Sequence, residues 1–307
     1  MPTKDILEKT LEAFNDVFSD ICNGLLFQGR PIITPPSLSD AQPYSFYKAD
    51  GRVRSQERDV AKYWKNLTFR IVLFGFENQT KVFKFMPLRV IGYDGTAYRA
   101  QLNDDTDPKY PVITLVLYFG NERWKNRNLL DCIDVPEELR PFVSDYKINV
   151  FEIAYLSEEQ IDYFHSDFRV LADFFIHRRN DPNYIPTDRQ KFKHANEILE
   201  LLAVLTGDHR YEDIIDAEGG APTDMCEVLD RVEQRGILIG EERGRREGRQ
   251  EGRQEGRREG RQEGLLAQAK ADALNMRRIA GITDPSIIAR IVNVATEIVE
   301  RWLAEEK

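Results

Sequence analysis

The sequence predicts an α/β core with a helical C-terminal extension, and three observations carry that expectation. Two β-rich apolar runs, 68–76 (TFRIVLFGF) and 110–120 around PVITLVLYF, flank a stretch with helical spacing. From residue 158 onward helical patterns dominate. Near Gly240 the composition turns into a glycine- and charge-rich repeat, followed by an amphipathic tail. Strands flanked by helices and then a helical block make one α/β layer structure with an appendage.

Each element follows from its pattern. Over 5–22, Ile6, Leu7, Leu11, Phe14, Val17, Phe18 and Ile21 recur at helical spacing. The proline-rich 31–36 reads as a loop or extended edge. Residues 111–119 are apolar enough for a central strand covered on both faces, and 148–155 reads as a third strand. Residues 86–101 suit a helix interrupted at Gly92 and Gly95, and two more helices are expected over 158–178 and 188–205. These readings divide the chain into a core domain over 1–210, a connecting segment over 211–239, a repeat over 240–264 and a helical tail over 265–307.

In the repeat, glycine returns every fourth residue from Gly240 to Gly264. On a helix such residues drift by about 40° per repeat and form one stripe. Each glycine costs roughly 1 kcal/mol relative to alanine, so an isolated helix here is marginal. Eight arginines against seven glutamates leave the segment almost neutral, which argues against a polybasic DNA arm. The segment is either a linker or a self-association helix. In the tail, Asp284 and Pro285 suit an N-cap and first-turn proline. Ile288, Ile291, Ala295, Ile298 and Trp302 trace a coiled-coil-like seam that needs another subunit or the preceding helix as partner.

With 41% hydrophobic residues the chain can bury a core. No signal-like leader and no membrane-length apolar run are present, and Cys22, Cys132 and Cys226 are odd in number and lack CxxC spacing. Reduced thiols and a cytoplasmic location are the expectation. The four histidines lack zinc spacing, and there is no nucleotide-binding glycine loop. A net charge of −9 disfavours general nucleic-acid binding. Locally, however, 47–70 holds seven Lys or Arg against three acids, interleaved with Tyr47, Tyr63, Trp64 and Phe69. That stretch is a solvated basic face or, given its neighbours, a phosphate-binding one through Arg52, Arg54 and Lys62.

Those neighbours are Asp59 and, eighteen residues later, Glu77-Asn78-Gln79 at the end of the 68–76 run. Phosphodiester hydrolysis needs an activated water and positive charge against the phosphate, and a hard cation held by carboxylates supplies both. Strand side chains alternate, so Glu77 and Gln79 share a face and Asn78 points away. Asp59 is within reach if 60–64 pairs with the strand. The spacing by itself is weak, since strands often end in polar surface residues.

The stretches ERDVAKYW (57–64), IVLFGFENQT (71–80), MPLRVIGYD (86–94), YPVITLVLYFG (110–120) and INVFEIAYL (148–156), with the GRxEG repeats, together resemble the Rpn family. These are recombination-promoting nucleases, also described as YhgA-like putative transposases. The resemblance implies a restriction-endonuclease-like PD-(D/E)XK core, a mixed sheet flanked by helices, with DNA as substrate and low sequence specificity. It implies Asp59 and Glu77 as ligands of Mg²⁺, with Mn²⁺ or Ca²⁺ possible, and Gln79 in place of the superfamily's usual lysine. A further acid from the first helix often joins such sites, and Asp16 and Asp20 are the candidates, although an ordinary surface acid is the reading that each favours. Arg89 and Tyr93, one helical turn apart, contact phosphate or pack at the core edge. The tail is expected to form a homo-oligomer. A catalytically idle, oligomeric DNA-binding or regulatory module is the alternative.

Overall fold

A computed structural model describes residues 4–49, 52–66, 69–102, 108–215 and 221–305, with backbone alone at 44–49, 52–56, 69 and 71. Two compact units divide at Val232/Glu233.

In the first unit, a five-stranded mixed sheet has the order β1 (Leu38–Asp40), β4 (Val60–Asn66), β5 (Phe69–Gln79), β6 (Val112–Tyr118), β7 (Asn149–Glu152). β2 (Tyr44–Ala49) and β3 (Arg52–Glu57) form a separate antiparallel ribbon, where only a basic stretch was expected. β4 and β5 pair antiparallel with Val60 opposite Phe76, while β5, β6 and β7 run parallel. Parallel neighbours need a crossover. α3 (Met86–Leu102) supplies the one between β5 and β6, unbroken by Gly92 and Gly95.

Period-two alternation separates the two sheet faces. Val72, Phe74 and Phe76 of β5, with Leu115 and Leu117 of β6, face the larger core. There they meet α1 (Lys4–Ala13) and α2 (Asn15–Phe27), and Phe18 stacks on Phe76 at 4.1 Å. Val116 and Tyr118 face the opposite way, against Met86 and Val90 of α3. The single helix expected over 5–22 is two helices with a break at Phe14, whose ring stacks on His194 at 3.7 Å.

The helical block after β7 comprises α4 (Glu158–Ile161), α5 (Phe168–Arg178), α6 (Ala195–Thr206) and α7 (Arg210–Ile215). Tyr211, Ile214, Met225 and Val228 join the larger core, so much of the segment expected only to connect is packed. α8 (Met225–Ala280) runs through the whole glycine repeat as helix.

In the second unit, Ala273 of α8 packs with Ile288 and Ala289 of α9 (Pro285–Val292) and with Val299 and Leu303 of α10 (Thr296–Glu305). The expected continuous seam does not form. α9 ends at Asn293, in the left-handed region at φ 55°, and Ile291 stays exposed. Asp284 does cap α9, accepting a bond from Ser286 N–H.

One polar cluster ties the first unit together. Arg58, 5% exposed, donates to Asp94 Oδ1 at 2.8 Å and to Thr114 Oγ1 at 3.3 Å. Thr114 and Tyr146 also donate to Asp94. Asp94→Ala would leave a buried guanidinium without its counter-charge and should cost about 3–5 kcal/mol in urea unfolding. The double change Arg58→Met/Asp94→Leu should cost less than Asp94→Ala. A larger loss in the double variant would mean that geometry, not charge, is what the cluster supplies.

Candidate active site

Glu77 and Gln79 occupy odd positions of β5 and turn to the α3 face, while Asn78 turns to the α1 face. Arg89 of α3 meets Glu77 Oε1 at 2.9 Å. Gln79 Nε2 donates to Glu77 Oε1 at 3.3 Å and to its neighbour's carbonyl, Asn78 O, at 2.8 Å. On the other face Asn78 Nδ2 donates to Glu12 Oε2 at 2.8 Å.

Asp59 stands just before β4, held at its backbone by a bond from its N–H to Phe76 O. Its Oδ2 accepts the Asn78 N–H at 2.6 Å, and Lys9 of α1 lies 2.9 Å from Oδ1. Asp59 thus draws its cation from the α1 layer and Glu77 draws its own from the α3 layer.

The site is overloaded with buried carboxyls. Glu77 is 1% exposed, and its Oε2 has no hydrogen-bond partner. Burial and the Asp59 carboxylate push Glu77 up to about 7, against the pull of Arg89. On α1, burial raises Glu8 to about 7 and Glu12 well above the usual carboxylate range, with Asp59 adding to both. Lys9 is raised: burial works against its charge, but the Asp59 carboxylate more than compensates. It is therefore an ammonium and not a base at neutral pH.

The first-helix acids beside the site are Glu8 and Glu12, not Asp16 or Asp20. Asp16 pairs with His194 and Lys193, and Asp20 Oδ2 accepts the N–H groups of His165 and Ser166. Both hold α2 to later loops. The readable signal for Glu8 and Glu12 was acids adjoining the Leu7/Leu11 stripe of an amphipathic helix.

Among the expected nucleic-acid contacts, Arg89 is partly exposed beside Glu77. Tyr93 is 3% exposed and accepts from Arg89 Nε at 2.7 Å, so it positions the guanidinium from behind. Lys62 is a correction. It is 2% exposed, donates to Asp40 on the neighbouring strand, and sits 5.8 Å from the centre of the Phe18 ring. An inward-facing β4 position puts it inside the fold, out of reach of DNA. Arg52 and Arg54 lie on β3, and their side chains are outside the described ones.

Among the described residues no three His, Cys, Asp or Glu side chains form a ready metal cage. Mg²⁺ commonly uses one or two carboxylates and keeps several waters, a lesser demand that Asp59 and Glu77 would meet only by facing one ion together. The partnerless Glu77 Oε2 fits it, and the occupation of both Asp59 oxygens by Lys9 and Asn78 opposes it.

The model of a family described as "putative transposase, YhgA-like" matches residues 66–198. That span takes in Glu77, Gln79, Arg89 and Tyr93 and begins downstream of Asp59. Comparison with curated proteins and with solved structures found no match.

The raised carboxyls have a stability consequence with a definite sign. Glu77 and Glu8 hold their protons more tightly folded than unfolded, so each contributes stability below pH about 4.5 that is lost as pH rises through about 7. Glu77→Gln should therefore raise the Tm of metal-free protein at pH 8 by roughly 2–8 °C, for a gain of about 1–2 kcal/mol. At pH 4.5 it should change the Tm little. A Tm lowered at pH 8 would mean that the Arg89 pair outweighs the burial.

Proposed function

We propose that this chain is a metal-dependent DNA endonuclease of low sequence specificity, acting in mobile-element biology, recombination or defence. The observation that carries the reading is a nearly fully buried carboxyl, Glu77, with a free oxygen, raised towards neutrality beside a second carboxylate, Asp59. Burying like charges together is costly unless something positive binds there. The family's description adds transposition as the setting. The fold is consistent with a PD-(D/E)XK core: β4 and β5 form an antiparallel pair with Asp59 just before the one and Glu77 near the end of the other, and β5–β6 a parallel crossover.

A divalent cation, Mg²⁺ by preference, with Mn²⁺ or Ca²⁺ as substitutes, would be held by Asp59 and Glu77 and would supply Lewis acidity and an acidified water. The chain's own groups supply the rest. Gln79 orients Glu77 through its amide but carries no charge to offer. Lys9, paired to Asp59 from α1, is an ammonium within the same site, and Arg89 offers a guanidinium from the other layer. These two cations can shift from carboxylate to phosphate when DNA arrives, which is the charge stabilisation that a pentacovalent phosphate requires.

A second reading, an idle member serving as an oligomeric DNA-binding or regulatory module, is favoured by the engagement of both Asp59 oxygens. In either reading the C-terminal region joins copies of the chain. Ile237, Leu238 and Ile239 are exposed on successive positions of α8, and so are Leu265 and Leu266. Arg249, Arg253, Arg257 and Arg261 each precede a glutamate by two residues and so fall nearly opposite it on that helix, while Arg243 pairs with Glu247 one turn on.

Full-length protein should nick supercoiled plasmid with Mg²⁺ or Mn²⁺ and stop with EDTA. Asp59→Asn and Glu77→Gln should each lower the rate by on the order of 10³-fold. Lys9→Met should lower it by about 10²-fold, with little change in DNA binding. Undiminished nicking by Glu77→Gln would remove the site from this place, and no nicking with any of the three metals would favour the idle module. Separately, Ile237→Glu/Leu238→Glu in the full chain should lower the mass seen by light scattering without lowering nicking per chain. An unchanged mass would mean that α8 is not where the copies meet.

A further inference from the structure

Beyond Gln79 the chain enters a loop, 80–85, that leads into α3. The loop is firmly held. Val82 packs inward against the cluster that contains Met86, Cys132 Sγ donates to Lys84 O at 3.0 Å, and Met86 N–H donates to Phe83 O at 3.1 Å. Despite this anchoring, Phe83 and Phe85 stand 41% and 44% exposed, their rings edge to face at 6.2 Å. Leaving phenyl rings in water forfeits part of the roughly 1.5–3 kcal/mol that burial of each would return. A mobile loop could fold them away, but this one is pinned with the rings outward.

The charge along this segment of the chain is one-sided. In a chain of net charge −9, the stretch 80–89 (TKVFKFMPLR) carries Lys81, Lys84 and Arg89 and no acid. Lys84 Nζ sits 5.5 Å from the centre of the Phe85 ring. Arg89 N–H donates to Phe85 O, so Phe85 and Arg89 are linked across the first turn of α3, and neighbours at this spacing lie on one side of a helix. That arginine is the one that meets Glu77.

We propose that Phe83 and Phe85 form a stacking platform for unpaired bases of a nucleic-acid strand, with Lys81 and Lys84 taking its phosphates. Exposed aromatic faces interleaved with cations are what a single strand needs, since every base has a face to stack and a phosphate to neutralise. A duplex hides its base faces within its own stack and offers only phosphates to such a loop. The platform lies one helical turn from Arg89, so a strand stacked there runs towards the Glu77 carboxyl. The substrate class is therefore DNA with single-stranded character: displaced strands, flaps or frayed ends. The claim that a bound strand is then cut rests on the nuclease reading, whereas the claim that it binds here does not.

Binding is measured by fluorescence anisotropy with full-length protein in EDTA, so that no cleavage is needed. The probes are a labelled thymidine oligomer of about 20 nucleotides, the same oligomer with abasic sites, and a blunt duplex of equal length. Phe83→Ala/Phe85→Ala should weaken single-strand binding by about tenfold or more and leave duplex binding within about twofold. Phe83→Tyr/Phe85→Tyr should retain it, and the abasic oligomer should bind wild type as weakly as the alanine variant binds the intact one. The platform is overturned if wild type binds no single strand, if the abasic oligomer binds as well as the intact one, or if both probes lose affinity equally. Phenylalanine-dependent binding without plasmid nicking overturns only the nuclease reading. Nicking with phenylalanine-independent binding overturns only the platform.

Discussion

The site depends on a buried guanidinium lying across a glycine. Arg58 passes over β5 at Gly75, where a Cβ would stand 2.3 Å from its Cδ, and reaches Asp94 on α3 and Thr114 on β6. Tyr146 closes the far side of Asp94. One cluster thus fixes the start of β4, the middle of β5, β6 and α3 to each other. Asp59 is the next residue along, so its backbone has little freedom, and its carboxylate is delivered to the end of β5. A charge this deeply placed is tolerated only with its counter-charge and hydrogen bonds in place, and any slip of β4 would break them. The cluster therefore sets register as well as position.

Around that frame the electrostatics work against stability. Glu8, Glu12 and Glu77 are each raised by burial, and Asp59 adds to every one of them. Lys9 and Arg89 offset part of this from opposite layers, and both are partly open to solvent. A stability-optimised protein would replace such carboxyls with apolar side chains. Their presence beside two partly solvent-open cations fits the proposed reading, in which binding and not folding settles the charge. The exposed rings at 83 and 85 repeat the pattern on a smaller scale, with apolar surface held out of the core next to the same site.

The C-terminal region follows a different logic. Glycines that would make an isolated helix marginal do not interrupt α8, and none of those in the repeat has a neighbour close to where a Cβ would stand. Helix–coil reasoning treats each glycine as a local cost, whereas here the helix is continuous with packed turns at both ends, Met225 and Val228 at one and Ala273 at the other. The tail's three-four spacing belongs to two short helices that fold onto the end of α8. The spacing of Ile288, Ala295 and Trp302 is compatible with a straight seam, but the chain leaves the helix over 293–295, starting at the left-handed Asn293.

The sequence by itself determined the α/β class, the strands around 69–79 and 112–118, the helix between them, and the sharing of one face by Glu77 and Gln79. Those features follow from period and composition, which are local properties. It also carried the family resemblance, because that rests on residues in order along the chain. The tertiary structure alone decided which way a charge faces and what it meets. Lys62 and Arg58 read as members of a basic surface and are interior. Lys9 and Glu12 lie between the apolar positions of the first helix, without a motif of their own, and meet Asp59 and Asn78. Asp16 and Asp20 read as site candidates and staple α2 to distant loops. Amphipathic patterning predicts burial for apolar residues, but a charged residue at the boundary of a face is buried or exposed according to its partner. Partners such as Arg58 and Asp94, 36 positions apart, meet only when the sheet and its crossover have formed.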